Sequence, residues 1–169
     1  MKSNRELDIV VYGATGFTGR LVAEYLNNQY GVNGEVVWAM AGRILSKLEQ
    51  VRDDMEISND VPLVVADSSD IDSINAMVER TAVVCTTVGP YQLYGNELVA
   101  ACAAAGTDYV DLCGEPGSMH KMIGAHSAAA EASGARIVFS CGFDSVPFDL
   151  GVLFLQQTAE QKLGSTVPR

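Results

Sequence analysis

Long apolar runs are missing from this 169-residue chain. None approaches the roughly 20 residues needed to cross a bilayer, so no transmembrane segment is expected. Positive charge is also scarce: 11 Lys and Arg stand against 21 Asp and Glu, a net charge of −10. That balance excludes nucleic acid and anionic membranes as expected partners, because both select basic surfaces. The opening Met1-Lys-Ser-Asn-Arg-Glu-Leu7 lacks the apolar core of a signal peptide. Four cysteines (Cys85, Cys102, Cys113, Cys141) contain no Cys-x-x-Cys pair, and small or apolar neighbours surround them. Reduced, mostly buried thiols in a cytoplasmic protein are the expectation. The two histidines, His120 and His126, miss the i, i+4 spacing of paired ligands on a helix, so no metal is expected. Internal repeats and low-complexity segments are absent.

With 48% hydrophobic and 19% charged residues, the composition is that of one globular domain with a real core. Its organising stretch is Asp8-Ile-Val-Val-Tyr-Gly-Ala-Thr-Gly-Phe-Thr-Gly19, an apolar run closed by glycines and followed by an amphipathic segment from Arg20 to Tyr30. Strand, glycine turn and helix form the setting in which such glycines bind a dinucleotide. Gly13 permits the tight turn, Gly16 admits a pyrophosphate to the backbone, and Gly19 lets the helix lie close on the sheet. Ala14, Thr15, Phe17 and Thr18 complete the expected phosphate loop, with the positive end of the helix facing the anion.

The remaining chain alternates between apolar runs and helical segments. Strands are expected at Leu7 to Tyr12, Glu35 to Ala41, Val61 to Ala66, Ala82 to Val88, Asp108 to Leu112 and Arg136 to Cys141. An Asn33-Gly34 turn precedes the second strand, and Ser46-x-x-Glu49 reads as a capping box for the helix after it. Asp67-Ser-Ser-Asp70 caps a third helix, Tyr91 to Gly95 forms a loop, and Ser145 caps a last helix opened by Pro147. The expected fold is α/β: a single-domain, doubly wound parallel sheet of the Rossmann type, with about six strands in the order 3-2-1-4-5-6.

Ligands in such sheets sit beyond the carboxyl ends of the strands where strand order reverses, here between strands one and four. The second strand ends in Ala41-Gly42-Arg43 without the carboxylate that accepts an NAD ribose. A guanidinium there suits a 2′-phosphate, so NADP is the expected cofactor and NAD the lesser alternative. Arg20 and Lys47 fall near the same end. Asp67 either accepts from the adenine amino group or caps a helix. Gly89-Pro90 would pass under the ribose or nicotinamide, where a side chain would block approach. Tyr91 and Tyr94 shape the nicotinamide pocket or pack in the core. Glu115 and Asp144 stand at strand ends as candidate acids or as loop braces. Cys113 and Cys141 lack a histidine in a recognisable partner pattern, which sets nucleophilic catalysis aside. None of the six tyrosines has a lysine four positions on, so the Tyr-x-x-x-Lys chemistry of short-chain reductases is absent. The catalytic residues stay unknown.

Gly13-Ala-Thr-Gly-Phe-Thr-Gly19, Ala41-Gly-Arg43 and Val88-Gly-Pro-Tyr-Gln-Leu-Tyr-Gly95 together resemble the saccharopine dehydrogenase-like oxidoreductases. Asp108-Tyr-Val-Asp-Leu-Cys-Gly-Glu115 and Ser140-Cys-Gly-Phe-Asp-Ser-Val-Pro147 strengthen the likeness, which spans nearly the whole chain and is greatest for the branch that includes trans-acting enoyl reductases. The resemblance implies an N-terminal NADP-binding domain over residues 1–150. Residues 151–169 would lead as a helix into a substrate domain absent from this chain. It implies hydride transfer between NADP(H) and a small or lipid-like substrate in the full-length protein, with the fragment alone inactive. A homodimer is left open. The alternative is a non-catalytic nucleotide-sensing or interaction module on the same fold.

Overall fold

A computed structural model describes residues 5–32 and 34–167. The expected turn residue Asn33, the opening segment 1–4 and the end 168–169 lie outside the described residues. Six strands, β1 (Leu7–Tyr12), β2 (Trp38–Gly42), β3 (Leu63–Val65), β4 (Thr81–Thr86), β5 (Asp108–Asp111) and β6 (Ile137–Val138), form one sheet. Its order is β3-β2-β1-β4-β5-β6, with every pairing parallel. Helices α1 (Phe17–Tyr30), α2 (Leu45–Asp54), α3 (Ile71–Arg80), α4 (Tyr91–Tyr94), α5 (Asn96–Ala105), α6 (Pro116–Ser133) and α7 (Val146–Leu163) make the connections. This is the doubly wound fold expected from the alternation of elements.

Side chains alternate across β1, and each set finds its own core. Val11 packs with Trp38, Met40, Leu48 and Val51 under α1 and α2. Val10 and Tyr12 pack with Ile74, Met77, Leu98 and Tyr109 under α3 and α5. A strand buried on both faces has to be apolar throughout, which is why Leu7 to Tyr12 reads as an unbroken run. Register sets Val83, Cys85, Val110 and Val138 on the Val11 face. There the half-sheet β4-β5-β6 is thinly covered, and Val138 is 48% exposed. Helix α7 leaves Phe148, Val152, Leu153 and Phe154 exposed as well.

Several boundaries differ from the sequence expectation for identifiable reasons. Helix α1 begins at Phe17 because Gly16 takes the N-cap position and its carbonyl accepts from Arg20 N at 3.0 Å. The Ser46 capping box does not form: α2 starts at Leu45, with Ile44 at the N-cap and no side-chain cap bond. Asp70 caps α3 through Asp72 N and Ser73 N. Helix α6 starts at Pro116, whose fixed φ suits a first turn. Residues Tyr91 to Tyr94 coil into one helical turn instead of an open loop. Ser145 stands at the N-cap of α7, again without a side-chain cap bond. Strand β6 shrinks to two residues, since Ser140 N is taken by the Asp111 side chain at 2.8 Å.

Candidate functional site

The turn after β1 emerges at the switch point of the sheet. Gly13 N and Ala14 N both donate to Ala41 O of β2, at 3.0 and 3.1 Å, while Thr87 N donates to Tyr12 O at 2.9 Å. The turn is thereby fastened to strands on either side. Gly13 has φ +94°, and a Cβ there would stand 2.7 Å from Thr87 Oγ1 and 2.8 Å from Val88 Cγ2. Gly19 presses α1 against the turn: its Cβ would lie 2.1 Å from Gly13 O. Gly16 N donates back to Gly13 O at 2.9 Å. The N-terminus of α1 carries neither a side-chain cap nor an acid in its first turn. No side chain of the first turn therefore offsets the positive end of this 14-residue helix, which suits it to an anion.

A cleft of about 240 Å³ opens over this turn. Gly13, Thr15 and Gly16 line its floor, Gly42 and Arg43 one end, and Tyr12, Ser68, Thr87, Val88, Gly89 and Tyr94 the rest. Arg43 is exposed and, among the described residues, has no carboxylate within ion-pair distance. Asp67 keeps out of the lining. Its Oδ1 accepts from Ser69 N at 3.0 Å and Ser69 Oγ at 2.8 Å, and these bonds, with Arg43 nearby, hold its carboxyl below the ordinary value. The neighbouring Ser68 faces the cleft instead. Burial pushes the Tyr12 phenol up, against the Ser68 hydrogen bond that lowers it.

A second cavity of about 350 Å³ adjoins through Thr87. Thr18 and Val22 of α1 form one side, with Cys85, Leu112, Cys113 and the loop Cys141 to Ser145 forming others. Three thiols lie along it, and burial raises each of them, Cys85 to about 11. Protonated thiols are poor nucleophiles. All four cysteines are free, with Cys102 and Cys113 buried and Cys141 exposed.

The remaining sequence candidates separate by contact. Ala14 is buried beneath the turn, Phe17 is 82% exposed, and Thr18 lines the second cavity. Gly89 joins the Arg43 cleft, whereas Pro90 and Tyr91 line neither cavity. Tyr91 is buried, its Oη donating to Thr86 O and accepting from Leu112 N, both at 3.4 Å. Glu115 accepts from Tyr91 N and Gln92 N. Asp111, which the sequence reading passed over, is 4% exposed and accepts from Tyr109 Oη, Cys113 N and Ser140 N. Tyr12, Ser68 and Thr87 were also missed as lining residues; only their places beside Gly13, Asp67 and Val88 gave a signal. Asp144 is exposed at the rim of the second cavity. His126 pairs with Asn96 at 3.1 Å, and the described residues hold no group of three metal-ligating side chains. No described helix is long and apolar enough to cross a membrane.

Comparison with known proteins gives a consistent result. Residues 9–138 match the family described as the saccharopine dehydrogenase NADP binding domain. A Mycobacterium tuberculosis protein is 50% identical over 158 residues, 93% of this chain and 37% of its own length. The trans-acting enoyl reductase of Mycobacterium leprae is 48% identical over 162 residues, covering 95% of this chain and 38% of that protein. The present chain therefore spans well under half the length of these relatives. Among solved structures, apo saccharopine dehydrogenase (L-Glu forming) from Saccharomyces cerevisiae superposes with a TM-score of 0.67 at 15% identity, over 92% of this chain and 31% of that one. The Citrobacter triphenylmethane reductase complexed with NADP(H) gives a TM-score of 0.60 at 17% identity, over 90% and 56%. At such identities these structures speak to the fold.

Proposed function

Since this chain belongs to the saccharopine dehydrogenase NADP binding domain family, we propose that its two adjoining cavities hold the two ends of one NADP(H) molecule. The observation that carries the reading is the uncapped N-terminus of α1 opening onto a glycine-floored cleft with Arg43, in no ion pair among the described residues, at one end. Amides of residues 13–19 would take the diphosphate, as helix mouths do. Arg43 would take the 2′-phosphate with its planar fork of donors. Tyr12, Ser68, Val88, Gly89 and Tyr94 would enclose the adenosine, and Asp67 would support Ser68 through its Ser69 turn. The nicotinamide half would enter the second cavity past Thr18 and Thr87, with Pro90 and Tyr91 backing the wall between.

The bound cofactor supplies the hydride, and the protein supplies position and field. In the full-length protein we assign an NADP-dependent reduction of an enoyl group, a reading supported by the name of the relatives. The cofactor domain would run to about residue 150, a boundary that falls inside α7, and the rest of that helix would lead toward the substrate domain. Helix α7, the exposed Phe17, Leu21 and Tyr25 on α1 and the thinly covered face of β4-β5-β6 supply apolar surface for it, or for a second copy. The chain alone would bind cofactor without turnover, and the four free thiols suit a cytoplasmic setting. A nucleotide-sensing role is the second reading; it draws on the engagement of Glu115 and Asp111 in structural hydrogen bonds. Turnover by the full-length protein separates the two.

Calorimetric titration of the chain with NADPH and NADH tests the site itself. NADPH should bind the more tightly; equal affinities, or no binding of either, would overturn the assignment.

A further inference from the structure

We infer that Glu115 is a positioning residue for the cofactor cleft, acting through the segment Thr87 to Tyr94 without touching the ligand. The inference rests on the cofactor reading given above. That segment contributes Thr87, Val88, Gly89 and Tyr94 to the wall of the cleft, so its placement governs the shape of the adenosine end. It begins where β4 has ended, and Pro90 cannot donate a backbone hydrogen bond. The next two amides open a single helical turn, too short to fix itself.

Glu115 meets both amides. Its Oε1 accepts from Tyr91 N at 2.8 Å and its Oε2 from Gln92 N at 2.9 Å, one carboxylate oxygen to each donor. Bonds of an amide to a charged acceptor are shorter and about twice as strong as neutral ones. The brace is itself anchored. Glu115 O accepts from Ser118 N and Met119 N in the first turn of α6. Glu115 N donates to Cys113 Sγ, and Cys113 N donates to Asp111 Oδ1 at the end of β5. From the other side, the Tyr91 hydroxyl ties the same segment to the last residue of β4 and to Leu112 just after β5. A chain of hydrogen bonds thus runs from the buried Asp111 to the cleft wall. Glu115 lines neither cofactor cavity and faces a separate hollow with Gln92 and Lys121. With both oxygens engaged by the backbone, its effect on the ligand passes through the wall.

The test compares Glu115→Gln and Glu115→Ala with the unaltered protein. Affinity for 2′,5′-ADP, which carries only the adenosine end, is measured by calorimetry beside thermal melts and amide NMR spectra. Glutamine keeps the shape but presents one amide with an NH₂ group, so 2′,5′-ADP should weaken about 10-fold. Alanine should weaken it further. The Tyr91 and Gln92 amide resonances should move while those of β1 stay in place. A merely structural role would lower the melting temperature and leave affinity below the melt unchanged. If the alanine variant does not fold, the isosteric glutamine variant carries the test. Unaltered affinity in that variant, with the unaltered protein binding 2′,5′-ADP, overturns the role of Glu115 alone. Failure of the unaltered protein to bind 2′,5′-ADP removes the cofactor reading and this inference together.

Discussion

A guanidinium held in no ion pair keeps its donors for a ligand, and among the described residues that is the condition of Arg43 after β2, with the Asp67 carboxylate near but outside ion-pair distance. Arg43→Ala should weaken NADPH by about 1–3 kcal/mol and leave NADH almost unchanged, measured by paired titrations. Equal losses would take the 2′-phosphate away from this residue. Gly19 makes a different kind of demand. A methyl group there would stand 2.1 Å from Gly13 O, closer than real atoms allow. Gly19→Ala should force α1 off the turn, lowering stability by about 1–3 kcal/mol and cofactor affinity with it, read from urea melts and titration. The places of both residues were legible in the sequence because each follows a strand at a fixed distance. Ser68 was not, because side-chain direction at a strand end depends on the Asp67 turn with Ser69. Glu115 could be placed at a strand end, but its partners lie 23 and 24 residues away, beyond the reach of any local pattern.

Among the elements, the strand order was legible from the alternation of apolar runs with helical segments, and the parallel sheet follows from the crossovers. Ends of elements were harder to read, because they depend on which hydrogen bond wins. Ser46 offered a plausible cap, yet α2 starts one residue before it. Strand β6 looked longer than it is because Asp111 takes the Ser140 amide across the strand end. Asp70 is a cap that does form, so Asp70→Ala should lower stability by about 1 kcal/mol in urea or thermal melts. Asp108 holds β5 to the start of β6 through the Arg136 amide and guanidinium. Burial would raise its carboxyl, but the hydrogen bonds and charge of Arg136 prevail and hold it below the ordinary value. A depressed carboxyl contributes stability in full above its unfolded value of about 4 and loses it as pH falls through the folded value. Urea melts between pH 3 and 6 should show a shallower loss toward acid for Asp108→Asn, the difference opening as pH falls below about 4. An unchanged acid limb would remove Asp108 as a contributor. Arg136 is 80% exposed at its side chain, so solvent screens much of the effect.

For the whole molecule, apolar surface on α7 is set against a net charge of −10. Like charge resists association and exposed Phe148 and Phe154 promote it. Added salt screens the former, so sedimentation should show self-association rising with ionic strength. The double variant Phe148→Ser, Phe154→Ser should abolish it with no change in NADPH affinity. The cleft also depends on both sides of the sheet: β2 anchors Gly13 through Ala41 O, and the chain leaving β4 anchors Tyr12 O through Thr87 N. Neither half of the chain contains the whole cleft. Two fragments cut between β3 and α3 would therefore be blind to cofactor when apart and regain sight of it on joining. NADPH would act as a witness to their reunion, favouring the joined pair by about 2.7 kcal/mol at a hundred times its Kd.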